Sequence, residues 1–217
     1  MEKICYIIGA CAPGRIVIAD RDAAFVIAAD GGLRYLEESG VTADLVVGDF
    51  DSLGRIPVGE NTICHPVEKD DTDTMLAVKL GLERGYREFV FYGCLGGRPD
   101  HTYANQQTLL YLARRSARGY LVGEGWVSCA VQNGRIDFPA QLTGTISVFC
   151  PDGEAHGVDL EGLYYPLRDG SLGSDFPLGV SNHFVGECSG VSVKNGTLLV
   201  MWEEAAECFV HRLLRRN

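Results

Sequence analysis

The first 120 residues of the chain alternate short apolar runs with segments of helical periodicity. Each run ends in or beside Gly or Asp; the runs are ICYIIGA (4–10), AFVIAAD (24–30), DLVVGD (44–49), EFVFYGC (88–94) and GYLVGE (119–124). Runs of this kind are typical of strands buried on both faces of a parallel sheet. The segments between them predict helices at 31–40, 71–86 and 101–119. The alternation indicates a layered α/β domain.

A different pattern begins near Gly123. The stretch WVSCAVQNGRIDF contains two runs of alternating polarity around Asn133-Gly134, which predicts a β-hairpin. A second Asn-Gly pair, at 195–196, lies among further strand and turn signals. The short basic tail HRLLRRN is expected to be a solvated end. We therefore predict an N-terminal, mostly parallel α/β/α domain (1–122) followed by a C-terminal all-β sandwich domain (123–217).

Composition narrows the classes of function. The 217 residues are 46% apolar and 22% charged, as in ordinary globular proteins, and a net charge of −10 argues against a nucleic-acid binder that neutralises phosphates. No apolar run is long enough for a membrane span, and the N-terminus does not resemble a signal peptide. The eight cysteines form no C-x-x-C pair, so neither a zinc ribbon nor a redox dithiol is indicated. A cytoplasmic protein without membrane or nucleic-acid partners is predicted.

Acidic residues gather where the predicted strands end. Asp30 ends one strand, Asp49 and Asp51 follow the next, DDTD (70–73) opens a helix, and GGRPDH (96–101) follows a fourth strand. Any one of these would be an ordinary turn or helix cap. Because the carboxyl ends of parallel strands share one edge, the four segments are expected to converge there. Asp49 and Asp51, two residues apart on an extended chain, would then face one cation.

Such a set indicates metal-assisted phosphoryl transfer. Mg²⁺ prefers oxygen ligands and is commonly held by a few carboxylates together with substrate phosphates, so Asp49, Asp51 and Asp73 are candidate ligands. Arg98 and Lys69 are candidate phosphate contacts. Helix N-termini near Thr72 and His101 would add amide donors. The loop GACAPGRI (9–16) lacks the Lys and Ser/Thr of a P-loop, and no protein nucleophile is evident, so the nucleophile would belong to the substrate.

The ordered motifs resemble those of the thiamine pyrophosphokinase family. They are ADGG (29–32), GDFDS (48–52), KDDTDTMLA (69–77), GGRPDH (96–101) with Asn105, GLYYPL (162–167) and GVSN (179–182). The resemblance implies an α/β domain and a β-sandwich in a homodimer, with active sites at the subunit interface. It also implies transfer of diphosphate from ATP to the hydroxyl of thiamine, yielding thiamine diphosphate and AMP.

The resemblance also assigns residues to roles. Mg²⁺ and the triphosphate would be held by Asp49, Asp51 and Asp73. The ATP side would be shaped by Asp30, Lys69, Asp71, Thr72, Arg98, Asp100, His101 and Asn105. The thiamine pocket would include Ser181 and Asn182, with Tyr165 and Leu167 nearby. The catalytic candidates are Arg98 with Asp71 and Asp100, either of which would accept the hydroxyl proton; the sequence leaves that choice open. The family often has a basic residue where this chain has Tyr164.

Two alternative functions remain at this point. One is a related diphosphokinase that acts on another alcohol, such as a pterin. The other is a nucleotide- or thiamine-binding module without catalysis, which the converging carboxylates disfavour because a simple binder does not need them.

Overall fold

The computed structural model describes residues 3–50, 61–64 and 71–215, and within these ranges it contains fourteen strands and four helices. The strands are β1 Ile4–Ile8, β2 Ala24–Ala29, β3 Leu45–Gly48, β4 Thr62–Cys64, β5 Glu88–Tyr92, β6 Arg118–Gly123, β7 Trp126–Gln132, β8 Arg135–Phe138, β9 Thr145–Phe149, β10 Glu154–Glu161, β11 Leu167–Gly173, β12 Gly179–His183, β13 Ser189–Asn195 and β14 Thr197–Glu203. The helices are α1 Gly32–Glu38, α2 Asp73–Glu83, α3 Pro99–Ala113 and α4 Ala206–Leu214.

Ten strands form one continuous sheet in the order β12-β9-β14-β7-β6-β5-β1-β2-β3-β4. The six strands from β6 to β4 are parallel, which confirms the predicted parallel sheet; only the short edge strand β4 had no sequence signal. β6 turns at Glu124-Gly125 into antiparallel β7, so the sheet continues across residue 122. The division into domains at that residue stays a prediction.

Two buried clusters cover the two faces of this sheet. Helices α2 and α3 pack on one face, where Val78 and Leu112 meet aromatic residues of β5 such as Phe89. On the other face, α1 packs through Leu36 beside α4. The residues of the first half thus make the three layers that the sequence predicts.

The C-terminal tail is a helix with a buried face, so its prediction as a solvated end was wrong. In α4, Phe209, Val210 and Leu213 are buried, and the Phe209 ring lies 4.9 Å from that of Tyr120 in β6. The connection between parallel strands β1 and β2 contains no helix, and its residues 16–19 pack in the same apolar cluster as α4. A helix from the end of the chain therefore covers sheet surface near an irregular β1–β2 connection.

A buried ion pair fixes α4 to the end of β14. The guanidinium of Arg212 donates two hydrogen bonds to the carboxylate of Glu204, at 2.9 and 2.6 Å, and the indole Nε1 of Trp202 donates a third at 2.7 Å. The Glu204 side chain is only 3% exposed. These three partners compensate the cost of burying a carboxylate.

The second, four-stranded sheet has the order β11-β10-β13-β8 and packs on the far half of the large sheet as a sandwich. The hairpin predicted at Asn133-Gly134 does not form, because β7 belongs to the large sheet and β8 to the small one. The Asn-Gly pair at 195–196 likewise joins β13 to β14 across the two sheets. Asn133 N donates to Gly196 O at 3.1 Å, and Gly196 N donates to Asn133 Oδ1 at 2.9 Å, so the two turns are bonded to each other.

No helix in the described ranges has the length and apolarity required to span a membrane.

Candidate active site

The carboxyl ends of the parallel strands form an edge where backbone approaches backbone closely. A Cβ on Gly32 would lie 1.9 Å from the carbonyl oxygen of Ile8, and one on Gly93 would lie 2.6 Å from that of Gly9. Gly9 N also donates to Tyr92 O at 2.8 Å, which joins the ends of β1 and β5. Only glycine fits at these positions, so the edge presents main-chain groups rather than side chains to an approaching molecule.

Asp30 and Asp49 lie at neighbouring strand ends of this edge. Asp30 has a left-handed φ of 47° and donates its N–H to Val47 O at 2.8 Å. A Cβ on Gly48 would lie 3.0 Å from the Cα of Asp30. Glycine at position 48 therefore lets the end of β3, and Asp49 after it, lie directly beside Asp30.

The geometric argument that paired Asp49 with Asp51 does not hold. It assumed an extended chain, but Phe50 has a φ of 63° and a buried side chain, so the alternation of side-chain direction is broken there. Asp51 itself lies outside the described residues, as does Lys69.

The start of α2 lies against the end of β5. Thr72 caps the helix, its Oγ1 accepting a hydrogen bond from Met75 N at 3.1 Å, and Asp73 is the first helical residue. The Thr74 hydroxyl hydrogen-bonds to the thiol of Cys94, and burial raises the pKa of that thiol to about 12. The thiol is thus a neutral packing group at neutral pH, and Asp73 is placed next to the segment that follows β5.

Asp71 forms an ion pair with a residue that the sequence did not single out. Lys79 Nζ, two turns along α2, donates to both carboxylate oxygens of Asp71 at 2.8 and 2.6 Å. The hydrogen bond to Asp71 raises the pKa of Lys79. Both Asp71 oxygens therefore already accept hydrogen bonds from Lys79.

Arg98 and Asp100 form a fork at the N-terminus of α3. The Arg98 guanidinium donates to Asp100 through Nε at 3.2 Å and Nη2 at 2.6 Å, and both side chains are more than 60% exposed. Arg98 lowers the pKa of Asp100, which keeps that carboxylate ionised. Arg98 is the N-cap, Pro99 begins the helix, and His101 follows with an exposed side chain.

Asn105 lies inside the protein. Its side chain is buried, and its Nδ2 donates to the carbonyl of Cys94 at 2.8 Å. Thr102 Oγ1 donates to the carbonyl of Gly96 at 3.2 Å. Gly96 and Gly97 both have positive φ, so α3 fixes a glycine-rich loop in a conformation that other residues would strain. Asn105 positions this loop through one of its two amide hydrogens.

The donor set fits a cation that is only partly held by protein. Among residues 3–50, 61–64 and 71–215, no three His, Cys, Asp or Glu side chains are close enough to hold a metal ion by themselves. Mg²⁺ usually keeps several waters and binds one or two carboxylates together with substrate phosphates. Asp49 and Asp73, at the ends of neighbouring elements, supply oxygen donors of the appropriate kind.

The four residues predicted near thiamine lie at the other end of the molecule. Asn182, in edge strand β12, accepts a hydrogen bond from Tyr165 N at 2.9 Å and donates one to Tyr165 O at 2.7 Å. Ser181 beside it has a φ of 58° and donates its N–H to Ser147 Oγ at 3.0 Å. Leu167, Tyr165 and Asn182 line a small cavity of about 140 Å³. β12 is five strand spacings from β5, roughly 24 Å along the sheet, so one chain does not bring the two groups together.

Exposed apolar side chains surround that cavity. Six of the seven large hydrophobic residues that are strongly exposed in the described structure lie between 164 and 185; they are Tyr164, Tyr165, Phe176, Leu178, Val180 and Val185. The rings of Tyr164 and Tyr165 meet edge to face at 4.8 Å. Contiguous apolar surface of this kind marks interaction sites.

Two features of the structure involve none of the site residues that the sequence predicted. A larger cavity, of about 1070 Å³, lies between α4 and the loop after β8, and none of the predicted residues lines it. Glu124 follows β6 on the same sheet edge as the glycine-rich loop. Its place at the end of the last apolar run of the first half was the only sequence signal for it.

Comparisons with known proteins show the family of this chain. Residues 19–121 match the model of the thiamin pyrophosphokinase catalytic domain, and residues 134–200 match that of the thiamin pyrophosphokinase vitamin B1 binding domain. Thiamine pyrophosphokinase from Bacillus subtilis is 26% identical over 182 residues, which are 81% of this chain and 85% of that protein.

Solved structures show the same fold. The crystal structure of thiamine pyrophosphokinase from Bacillus subtilis superposes with a TM-score of 0.81 at 22% identity, covering 93% of this chain and 99% of the other. That of a thiamin pyrophosphokinase family protein from Enterococcus faecalis gives a TM-score of 0.76 at 25% identity, covering 94% and 99%.

Proposed function

The chain belongs to the thiamine pyrophosphokinase family, and we propose that it transfers diphosphate from ATP to the hydroxyl of thiamine, forming thiamine diphosphate and AMP. The observation that supports the proposal is that Asp30, Asp49, Asp73 and Arg98 each lie at a strand or helix terminus along the sheet edge where glycines let backbones approach closely. This edge offers carboxylates for a cation and a guanidinium for phosphate, which together suit a triphosphate.

Asp49 and Asp73 would hold Mg²⁺ with the triphosphate, together with Asp51. A bound Mg²⁺ would neutralise charge on the phosphate oxygens during transfer. Arg98 would bind phosphate oxygens through guanidinium N–H groups that Asp100 does not occupy, and the N–H groups at the starts of α2 and α3 would add donors. Lys69, Thr72 and His101 would complete the ATP side.

The thiamine hydroxyl would attack the β-phosphorus in line, with AMP as the leaving group. Positioning and charge neutralisation supply most of the rate in such transfers, so a strong base is unnecessary. Asp71 and Asp100 both stay candidate acceptors for the hydroxyl proton, because each has both carboxylate oxygens on a cationic side chain, Lys79 for Asp71 and Arg98 for Asp100.

The thiamine side would come from a second copy of the chain in a homodimer. Within one chain, Ser181 and Asn182 lie too far from the carboxylates to share a substrate with them. The exposed apolar surface between residues 164 and 185 is suited to burial in a dimer. Tyr165 and Leu167 would line the thiamine pocket there. The eight cysteines are all free thiols, which supports a reducing cytoplasm as the location.

The products of the reaction test the proposal. Purified protein with ATP, Mg²⁺ and thiamine should form AMP and thiamine diphosphate in equal amounts. Asp49→Asn should lower kcat by about 1000-fold, because one carboxylate of the metal-holding set is lost. Asp22→Asn is the matched control, since Asp22 is an exposed aspartate at the opposite edge of the same sheet and should leave kcat unchanged.

Two results would contradict the proposal. Release of ADP in place of AMP would indicate transfer of a single phosphoryl group. Turnover with another alcohol, such as a pterin, and none with thiamine would assign the site to a different diphosphokinase.

A further inference from the structure

Glu124 is the acidic residue at this sheet edge that no part of the proposed reaction uses. It follows β6 in the two-residue turn to β7, and its φ of 54° and that of Gly125, 79°, are both positive, as a type I′ turn requires. Glu204 N donates to Gly125 O at 2.9 Å, which fixes the turn to the end of β14. The turn is therefore a rigid support for the Glu124 side chain.

The carboxylate of Glu124 lies over the glycine-rich loop. A Cβ on Gly96 would be 3.1 Å from Glu124 Oε1. The side chain is exposed, and its oxygens have no hydrogen-bond partner among the described residues. The Glu124 carboxylate lies next to the loop that precedes Arg98, and both of its oxygens can accept hydrogen bonds. It can therefore contact a molecule that this loop binds.

Its distance from the other carboxylates decides which part of a nucleotide it can contact. In the strand order β6-β5-β1-β2-β3, Glu124 is three spacings from Asp30 and four from Asp49, about 14 and 19 Å along the sheet. It is therefore too far away to bind the same cation. A carboxylate without a cation repels phosphate, so the triphosphate would extend toward Asp30 and Asp49 and the nucleoside would lie near β6.

We propose that Glu124 binds the ribose of the nucleotide, its two carboxylate oxygens accepting hydrogen bonds from the 2′- and 3′-hydroxyl groups. A carboxylate at the end of a parallel strand recognises ribose in the same way in dinucleotide-binding folds. This inference rests on the proposed function in taking ATP as the nucleotide. Glu124 would then select ribonucleotides over deoxyribonucleotides.

The test is equilibrium binding of AMP and 2′-deoxy-AMP to the wild type and to Glu124→Asn, measured by calorimetry. Asn-Gly is the preferred dipeptide of a type I′ turn, so this variant removes the carboxylate while the turn and the melting temperature are kept. The wild type should bind AMP about tenfold more tightly than 2′-deoxy-AMP, the effect expected of a hydrogen bond to a charged group. The variant should bind both nucleotides with the weaker affinity.

Glu187→Asn is the matched control, because Glu187 is also exposed and also adjoins a glycine of positive φ, in the β12–β13 connection. It should keep the wild-type preference. An unchanged preference in Glu124→Asn, or a raised KM for thiamine with unchanged nucleotide binding, would overturn the inference. If the wild type prefers AMP over 2′-deoxy-AMP, Glu124→Asn loses that preference and the wild type forms no thiamine diphosphate, the role of Glu124 is supported and the proposed reaction is contradicted.

Discussion

The carboxyl edge of the parallel strands and the β12 end of the large sheet present different chemical groups. At the carboxyl edge of the parallel strands, glycines bring backbones together and charged groups such as Asp49 and Arg98 project beside them. At the β12 end, Tyr165, Phe176 and Val180 expose apolar surface around a small cavity. The first end suits a phosphate chain with its cation, and the second suits an aromatic substrate and a protein neighbour.

Under the proposed function, each end supplies only part of a site. Charged groups at the parallel edge could bind a nucleotide triphosphate but offer no aromatic pocket. The β12 end offers a small cavity lined by Tyr165, Leu167 and Asn182. The proposed transfer from ATP to thiamine would need both ends in contact, and their separation of roughly 24 Å along one sheet is the reason we propose that they meet in a dimer.

The largest effect is expected when one chain carries a substitution at the nucleotide end and its partner carries substitutions at the thiamine end. Asp49→Asn disables the nucleotide end, and Tyr165→Ala with Ser181→Gly disables the thiamine end; position 181 accepts Gly because its φ is positive. Each variant alone should be nearly inactive. When they are co-expressed with different tags, half of the dimers are mixed and each contains one intact site, so activity should return to about a quarter of wild type.

Purified mixed dimers, compared with each parent for thiamine diphosphate formation, provide the measurement. Sedimentation velocity should give the dimer mass for all three species. If mixed dimers are no more active than the parents, both ends of a site belong to one chain and the comparison fails.

The second largest expected effect is on folding stability. It concerns α4, which packs against both halves of the chain. Arg212→Leu leaves the Glu204 carboxylate buried without its cation and should cost about 3–5 kcal/mol of folding free energy. A thermal scan should show this as a lower Tm, by about 10 °C. The double variant Glu204→Gln with Arg212→Leu should recover most of the loss, because Gln still accepts the hydrogen bond of Trp202.

Arg15→Leu is the control, since the pair of Arg15 with Glu207 is exposed and should contribute less than about 1 kcal/mol. Equal losses from Arg212→Leu and Arg15→Leu would mean that the buried pair is not what fixes α4 to the two halves.

The smallest effect is a local change of pKa at each end of the molecule. Arg98 lowers the pKa of Asp100, and Lys194 lowers that of Asp169 in the small-sheet half. Each carboxylate therefore stays ionised to a lower pH than usual, and the stabilising contact is lost as pH falls through the lowered pKa. Arg98→Gln should move the titration of Asp100 to higher pH and leave that of Asp169 unchanged.

Carbon-detected NMR titration of the two carboxyl groups measures this directly. Lys194→Gln provides the reciprocal control and should move only Asp169. A shift of both carboxyl groups in either variant would show that the two ends are electrostatically coupled.

Sequence patterns predicted the first half of the fold well because its strands are buried on both faces. Runs such as those of β1 and β5 leave no alternative to a sheet interior, and Gly or Asp marks their ends. The same patterns predicted a turn at Asn133-Gly134 correctly and its strand pairing wrongly. A turn dipeptide specifies backbone angles over two residues, but which sheet each flanking strand joins depends on packing across the whole domain.

The site residues are predictions that the fold alone does not test. The residue types at strand ends indicated the edge and its chemistry, and α2 and α3 begin there. Sequence could not show that Asn105 points inward to Cys94 or that Asp71 is held by Lys79. Those contacts form between segments whose spacing is set by helix packing, and the predicted role of each site residue stays a prediction.

The sequence by itself determined the family and the parallel sheet, because burial on two faces and ordered motifs are local properties of the chain, and it predicted the chemistry of the carboxyl edge. Only the tertiary structure decided that α4 covers the sheet beside an irregular connection, that both Asn-Gly turns join two sheets, and that Glu124 lies over Gly96. These depend on contacts between residues far apart in the chain, and such contacts exist only after the strands have taken their order.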